Sequence, residues 1–345
     1  MQRWLCGVTA EDATGRSSLA LAAAFSQLAL GNISLAEQWA RSATVALSDE
    51  SATRSAIQSA GVFIIRGWAA RLGAKRMGQD AANAYQLLPG DSPWLASCCY
   101  LGGTSALLTG DRSQAERQLE EGAARGAPLA RDVALLCLAQ LAVLALDRGD
   151  PDLACDLARR ARDATRHHQS SKHPISALVF AVSAAAEVGQ GRVDEAKTAA
   201  AKCISLVALL DEFTPWYCAE TRILLARTSL ALGDVAGARE QLAHGSRLAR
   251  RTSDVVLFQR WFDEAWDQFD RRAETALLGI GSLTTAELRV LRFLPTHFSF
   301  HEIAERLHVS SNTVKTHVHA VYRKLDASSR SQAVANATRA GLLGS

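Results

Sequence analysis

A glycine followed five residues later by alanine, placed after a Leu- and Ala-rich run, returns along most of this chain. The pairs are Gly31 with Ala36, Gly110 with Ala115, Gly149 with Ala154, Gly191 with Ala196 and Gly233 with Ala238. From Gly110 onward the intervals are 39, 42 and 42 residues, and the first gap of 79 holds a degenerate copy, Arg71-Leu72-Gly73, near its middle. Six units of roughly forty residues follow, a period typical of stacked supersecondary units. Apolar positions recur at helical spacing throughout and extended β-branched alternation is absent, so residues 1–277 read as all-α. Each unit reads as a helical hairpin. Its first helix ends at Gly, which accepts the left-handed conformation of a helix C-terminus. Asn32, Asp111, Asp150 and Asp234 follow directly and can cap the second helix. The recurrent Ala lets the paired helices approach closely. No hairpin buries its apolar face alone, so neighbours are expected to stack into a superhelix with a concave surface.

The last sixty-odd residues are a different object. Thr284 with Glu287 has the form of a capping box, flanked by the apolar pair Leu283 and Leu288. Ser299 with Glu302 repeats the device, stapled by Phe298 and Ile303. Ser310 repeats it in part, with Val309 facing Val314 and no acidic partner, and Ser329 has Gln332 as its box partner. Four helix starts separated by short turns describe a compact bundle over 283–345, joined to the first part through a short flexible link at 278–282. The inner pair, from Glu302 to Val318, reads helix, tight turn, helix. Ile303, Leu307, Val314 and Val318 are its expected buried positions, and Ala304 is small enough for the helices to cross closely. Such a unit lays its second helix in the major groove. The positions spaced for the exposed face of that helix are Asn312, Lys315, Thr316, His319 and Arg323, donors suited to phosphates and guanine edges. Charge agrees. Residues 282–345 hold eight Lys/Arg against four Asp/Glu, while the whole chain is only +3, so the net positive charge sits on this small part.

The motifs Leu-Thr-x-x-Glu-x-x-Val-Leu at 283–291, Ser-x-x-Glu-Ile-Ala-x-x-Leu at 299–307 and Ser-x-Asn-Thr-Val-Lys-x-His at 310–317 resemble the LuxR-type (GerE-like) DNA-binding domain. Arg323-Lys324-Leu325, Ser329-Arg330-x-x-Ala333-Val334 and Ala340-Gly341-Leu342-Leu343 extend the likeness, which covers about a fifth of the chain. The resemblance implies sequence-specific transcription regulation in a bacterium, with a homodimer formed through the fourth helix. By match of position, Lys315, Thr316 and His319 would face bases, and Asn312, Thr313 and Arg323 would lie nearer the backbone. This chain departs from the family at Ala286, where Arg is usual, at His297, where Gly is usual, and at His319, where Lys is common. The upstream hairpins resemble tetratricopeptide-like repeats, longer than the usual unit and without its aromatic signature positions. Together the two parts are similar to the latter portion of large ATP-binding LuxR regulators with the NTPase missing, as a natural short form or through truncation, so ATP-driven switching is not carried over.

Other chemistry is scarce. No Gly-x-x-x-x-Gly-Lys-Ser/Thr loop, His-Glu-x-x-His or Gly-x-Ser-x-Gly nucleophile elbow occurs, so no enzyme and no cofactor is expected. His317 and His319 lie two apart on a helix and make poor joint ligands; His167, His168 and His173 surround a polar loop that reads as a solvated connection. No metal site is expected. Seven cysteines without CxxC spacing read as reduced, buried thiols of a cytoplasmic protein. The longest apolar stretch, Val133 to Leu146, is too short for a bilayer, and the segment at Met1 lacks the charged-then-apolar-then-small layout of a secretory signal, so secretion is not expected. Trp216, beside Pro215 and Tyr217, is the tryptophan that most suggests a ligand pocket. The expected partners are double-stranded DNA, a second copy of the chain, and a small-molecule or protein effector on the repeats, with RNA polymerase a further candidate. The alternative reading is a scaffold or antagonist acting through the repeats, its DNA-binding domain degenerate or used only for dimerisation.

Overall fold

The computed structural model describes residues 17–45, 52–167, 170–210, 213–279, 283–307 and 309–343. Among these residues there is no strand, and seventeen α-helices follow one another. The first twelve run in consecutive pairs: α1 (Ser17–Ala29) and α2 (Ile33–Val45), α3 (Ala52–Ala69) and α4 (Ala74–Leu87), α5 (Leu95–Thr109) and α6 (Arg112–Leu129). Next come α7 (Arg131–Arg148) and α8 (Pro151–His167), α9 (Ala177–Gly189) and α10 (Val193–Val207), then α11 (Pro215–Ala231) and α12 (Val235–Ala249). The longer α13 (Val256–Gly279) precedes four short helices, α14 (Thr285–Leu291), α15 (Phe300–Leu307), α16 (Ser311–Lys324) and α17 (Arg330–Arg339). The architecture is thus an all-α helical-repeat array followed by a helix-turn-helix bundle. By contact the chain forms two compact units, 1–228 with 241–262, and 229–240 with 263–345. Positions 278 and 279 of the expected link continue α13, and 280–282 lie outside the described residues.

The glycine period has a direct cause. At Gly110 the backbone is left-handed, its N–H donates to Leu107 O, and the following Asp111 N–H reaches back to Ala106 O at 2.8 Å. This pairing satisfies two carbonyls that the helix end would otherwise orphan. The same double bond closes α1 at Gly31, α7 at Gly149, α9 at Gly191 and α11 at Gly233. Carboxylate caps then start the partner helices. Asp111, Asp150 and Asp234 accept from the N–H of Gln114, Leu153 and Gly237 at 2.9–3.0 Å. Asn32 does otherwise: its amide donates to Gln27. Ala36, Ala115, Ala154, Ala196 and Ala238 are all fully buried. The degenerate second copy is built differently. Ala70 takes the left-handed position, and Gly73 (φ 91, ψ 174) sits at the N-cap of α4, where an added Cβ would meet Ser253 Oγ at 2.2 Å. At Gly149 a Cβ would meet nothing within 4 Å. Gly149→Ala is therefore expected to cost only the left-handed backbone penalty, about 1–2 kcal/mol in denaturant unfolding. Gly73→Ala is expected to cost more, because a clash adds to the strain.

Within the first unit the leading helices of two middle hairpins are buried on every side. Every residue of α5 from Leu95 to Leu108 is buried, and α7 is nearly the same from Ala134 to Ala145. Helices of this kind belong in a core. Where an open surface is expected on the repeats, α11 packs against α3, α5 and α7, with its Trp216, Tyr217, Glu220 and Ile223 wholly buried. Trp216 donates from Nε1 to Trp68 O at 2.9 Å and lies among Trp68, Tyr100 and Tyr217. It is a packing residue of the buried core. Asp147 at the end of α7 closes a second long-range contact, accepting from Trp261 Nε1 at 2.8 Å and pairing with Arg112 and Arg260.

Five of the cysteines are buried, and burial pushes Cys98 and Cys99 up to about 12, far from thiolate chemistry. Cys155 differs from expectation, being only half-buried, with Arg192 Nη2 at 2.6 Å from its sulfur; Cys6 lies outside the described residues. No described helix is long and apolar enough to cross a membrane.

Candidate nucleic-acid interface

The four short helices owe their starts to the caps read in the sequence. Thr284 Oγ1 accepts from Glu287 N–H while the Glu287 carboxylate accepts from Thr284 N–H, a complete capping box. Ser299 and Glu302 form the second box, at 2.7 and 3.3 Å. The Ser299 N–H and hydroxyl hold the Glu302 carboxyl below the usual carboxylate range. Ser310 caps α16 through Thr313 N–H at 3.0 Å. Val309 stays 42% exposed, so its staple to Val314 contributes little. At α17 the box is displaced. Ser329 Oγ accepts from Gln332 N–H, but the Gln332 carbonyl turns to the N–H and hydroxyl of Ser328.

The bundle core fixes how α16 is presented. Ile303 and Ala304 of α15 and Val314, Val318 and Val321 of α16 are buried together, with Leu307 packed against them at the edge. On α16 this leaves Asn312, Lys315, Thr316, His319 and Arg323 exposed, at the spacing of one helix face. Thr313 is half-buried, its hydroxyl 2.7 Å from Ser310 Oγ, and belongs to the cap. The Thr316 hydroxyl donates to Asn312 O at 3.0 Å, which leaves its lone pairs facing outward. His317 is half-buried and off that face; His308 lies outside the described residues. His301 on α15 contacts Ser311 Oγ at 3.1 Å, across the turn from the start of α16.

Three of the eight cations serve the fold. Lys324 pairs with Glu287 at 2.7 Å, tying the end of α16 to the start of α14. Burial alone would raise the Glu287 carboxyl, but Lys324 and the Thr284 donors outweigh it and hold it below the usual range. Arg306 stacks on Phe298, 3.7 Å from the ring centre. Arg330 donates to four main-chain carbonyls, those of Phe293, Leu294, Thr296 and Phe298, so it shapes the turn between α14 and α15. That turn contains His297 in place of the family's usual Gly. Thr296 closes it from within, donating to Phe293 O at 2.7 Å. Sequence pattern did not reveal the roles of Arg330 and Thr296. Arg289, Arg292, Lys315, Arg323 and Arg339 remain exposed, and Lys315 and Arg323 stand on the outward face of α16.

Residues 281–337 match the model of bacterial regulatory proteins of the luxR family, and residues 135–160 and 219–244 match a tetratricopeptide repeat. An uncharacterized transcriptional regulatory protein of Bacillus subtilis is 45% identical over 60 residues, 17% of this chain and 28% of that protein. A putative HTH-type transcriptional regulator of Mycobacterium bovis is 48% identical over 63 residues, 18% of this chain and 7% of that protein. The chain thus spans under a third of these relatives. Among solved structures, a Rap protein complexed with competence and sporulation factor aligns with TM-score 0.48 and 13% identity, over 78% of this chain and 79% of that one. Caps, core and family model coincide on the same residues, and at 281–337 the chain carries a helix-turn-helix domain of the luxR family of bacterial regulatory proteins.

Proposed function

We propose that this protein is a cytoplasmic transcription regulator that binds operator DNA as a homodimer, with α16 in the major groove. Residues 283–345 are the DNA-binding module, and residues 1–277 sense or dock an effector. The observation that supports the reading is the outward face of α16, where Lys315, Thr316 and His319 stand exposed over the buried Val314, Val318 and Val321. Lys315, Thr316 and His319 face base edges; Asn312, Thr313 and Arg323 lie toward the phosphates. Pairing through α17 would present two such helices to a two-fold symmetric site. On the repeats, an effector has surface grooves to use. One of about 520 Å³ is lined by Ala123, Ala127, Leu135, Leu138, Arg131 and Arg160. RNA polymerase is the natural further partner for a regulator of this kind.

Selection of genomic fragments by the purified protein at near-physiological salt tests the reading. A recurring symmetric site is expected, bound more tightly than random DNA by about 10³-fold or more. Lys315→Ala is expected to weaken binding to that site by about 1–3 kcal/mol and to relax preference at one base pair. Equal loss on random DNA, with a shallower salt dependence, would make Lys315 a phosphate contact instead. Failure of well-folded protein to enrich any fragment would overturn the proposal.

A further inference from the structure

Glu220 sits wholly buried on α11, facing α5 and α7. Its Oε2 accepts from Gln140 Nε2 at 2.7 Å. The remaining oxygens of the pair, Glu220 Oε1 and Gln140 Oε1, are both buried and unpartnered, as are the hydroxyls of Tyr100 and Thr104 on α5. The groups around the carboxyl are few. From α5 there is the phenol of Tyr100, beside the Gln140 amide; from α7 the thiol of Cys137 lies near the same phenol. On α11 itself are Tyr217, whose hydroxyl contacts Leu178 N–H and Ile175 O, and Arg222, which donates to Gln241. Among the described residues nothing cationic compensates Glu220: burial and the Gln140 amide are what set its proton affinity, and burial pushes it up to about 8. An ionised carboxylate in such a place is costly unless paired with a charge. An uncharged carboxylic acid is not. Its hydroxyl also supplies a donor in a pair that otherwise leaves two acceptor oxygens idle.

We propose that Glu220 is a carboxylic acid in the folded protein, joined to Gln140 as an acid–amide pair, and that losing this proton loosens α11 from α5 and α7. The repeat core would then be a proton-sensitive element. Trp216 and Glu220 lie one turn apart on α11, so the titration acts beside the aromatic cluster that α11 forms with Trp68 and Tyr100.

The direction of the pH effect follows from linkage. Unfolded, Glu220 ionises near its ordinary 4.5; folded, it does so at about 8. Between these values the folded state holds a proton that the unfolded state has lost. Stability from this group is therefore fully present below 4.5, falls as pH rises, and levels off above 8, the folding constant dropping by up to about tenfold per pH unit. Urea unfolding of the full chain and of Glu220→Gln from pH 5 to 9.5 tests this. The glutamine amide can pair with Gln140 without a titrating proton. The stability advantage of the variant is expected to grow with pH between 5 and 8 and then stay constant. A difference independent of pH would overturn the proposal. Infrared spectra of the unmodified protein give a readout that does not depend on the variant folding. A protonated-carboxyl stretch at pH 7 that disappears by pH 9.5 is expected, and its absence at pH 7 would refute the acid form.

Discussion

Trp216→Ala is expected to cost the repeat unit about 3–5 kcal/mol, the range for emptying a tryptophan-sized site in a packed core. The side chain is fully buried, and its indole ring sits 5.8 Å from Trp68 and 5.7 Å from Tyr217 between ring centres. Its N–H also satisfies the Trp68 carbonyl on α3, a bond between residues 148 apart in sequence. Alanine would leave both a void and an unpaired buried carbonyl. The aromatic contacts link α3, α5 and α11, so the void would open where separate hairpins meet. Trp216→Phe isolates the polar part: most of the volume remains, and the loss should fall to about 1–3 kcal/mol, the cost of the orphaned acceptor. Urea unfolding followed by far-UV circular dichroism measures both. A loss below about 1 kcal/mol for alanine would show that the site collapses without penalty, contrary to a role in joining the hairpins.

Arg330→Met should cost the helix-turn-helix domain on the order of 2–3 kcal/mol, since charge-assisted bonds of this kind are among the stronger ones. One guanidinium holds Phe293 O, Leu294 O, Thr296 O and Phe298 O, at 3.2, 2.9, 2.8 and 2.7 Å. These carbonyls turn the chain from α14 toward Ser299, which caps α15. Methionine keeps the length of the stem and loses every donor. Lysine is not expected to rescue, because a point charge with three donors cannot span four carbonyls arranged for a planar fork. Native-state hydrogen exchange over 283–343 reads the effect in the full chain, and exchange through global opening of this domain should quicken by about 30- to 150-fold. Unchanged protection would mean that Thr296 alone maintains the turn. Operator affinity should fall with it, since α15 supports the base of α16.

These two residues illustrate where sequence reading runs out. The period of Gly and Ala, the six hairpins, the aspartate caps and the boxes at Thr284 and Ser299 were all legible. Each depends on atoms three to six residues apart, which chain geometry alone brings together. The exposed face of α16 was legible for the same reason, because Val314, Val318 and their neighbours declare which side is buried. Its use on DNA rests on chemistry that folding does not test. Local patterns failed where two neighbouring groups compete for one partner. Gln332 chose Ser328 over Ser329, and Ala70 took the left-handed turn that the period assigned to Gly73.

Contacts between distant segments had no such signature. Arg330 looked like one cation among eight, and Lys324 counted toward DNA affinity although it is bound to Glu287. Trp216 suggested a pocket, and the repeats an open concave surface, whereas α11 packs Trp216 and Glu220 against α3, α5 and α7. Glu220 meets Gln140 80 residues away, with three α-helices between them in the chain. Local preferences specify each hairpin but leave open how hairpins meet, because that depends on side-chain packing between residues far apart in sequence.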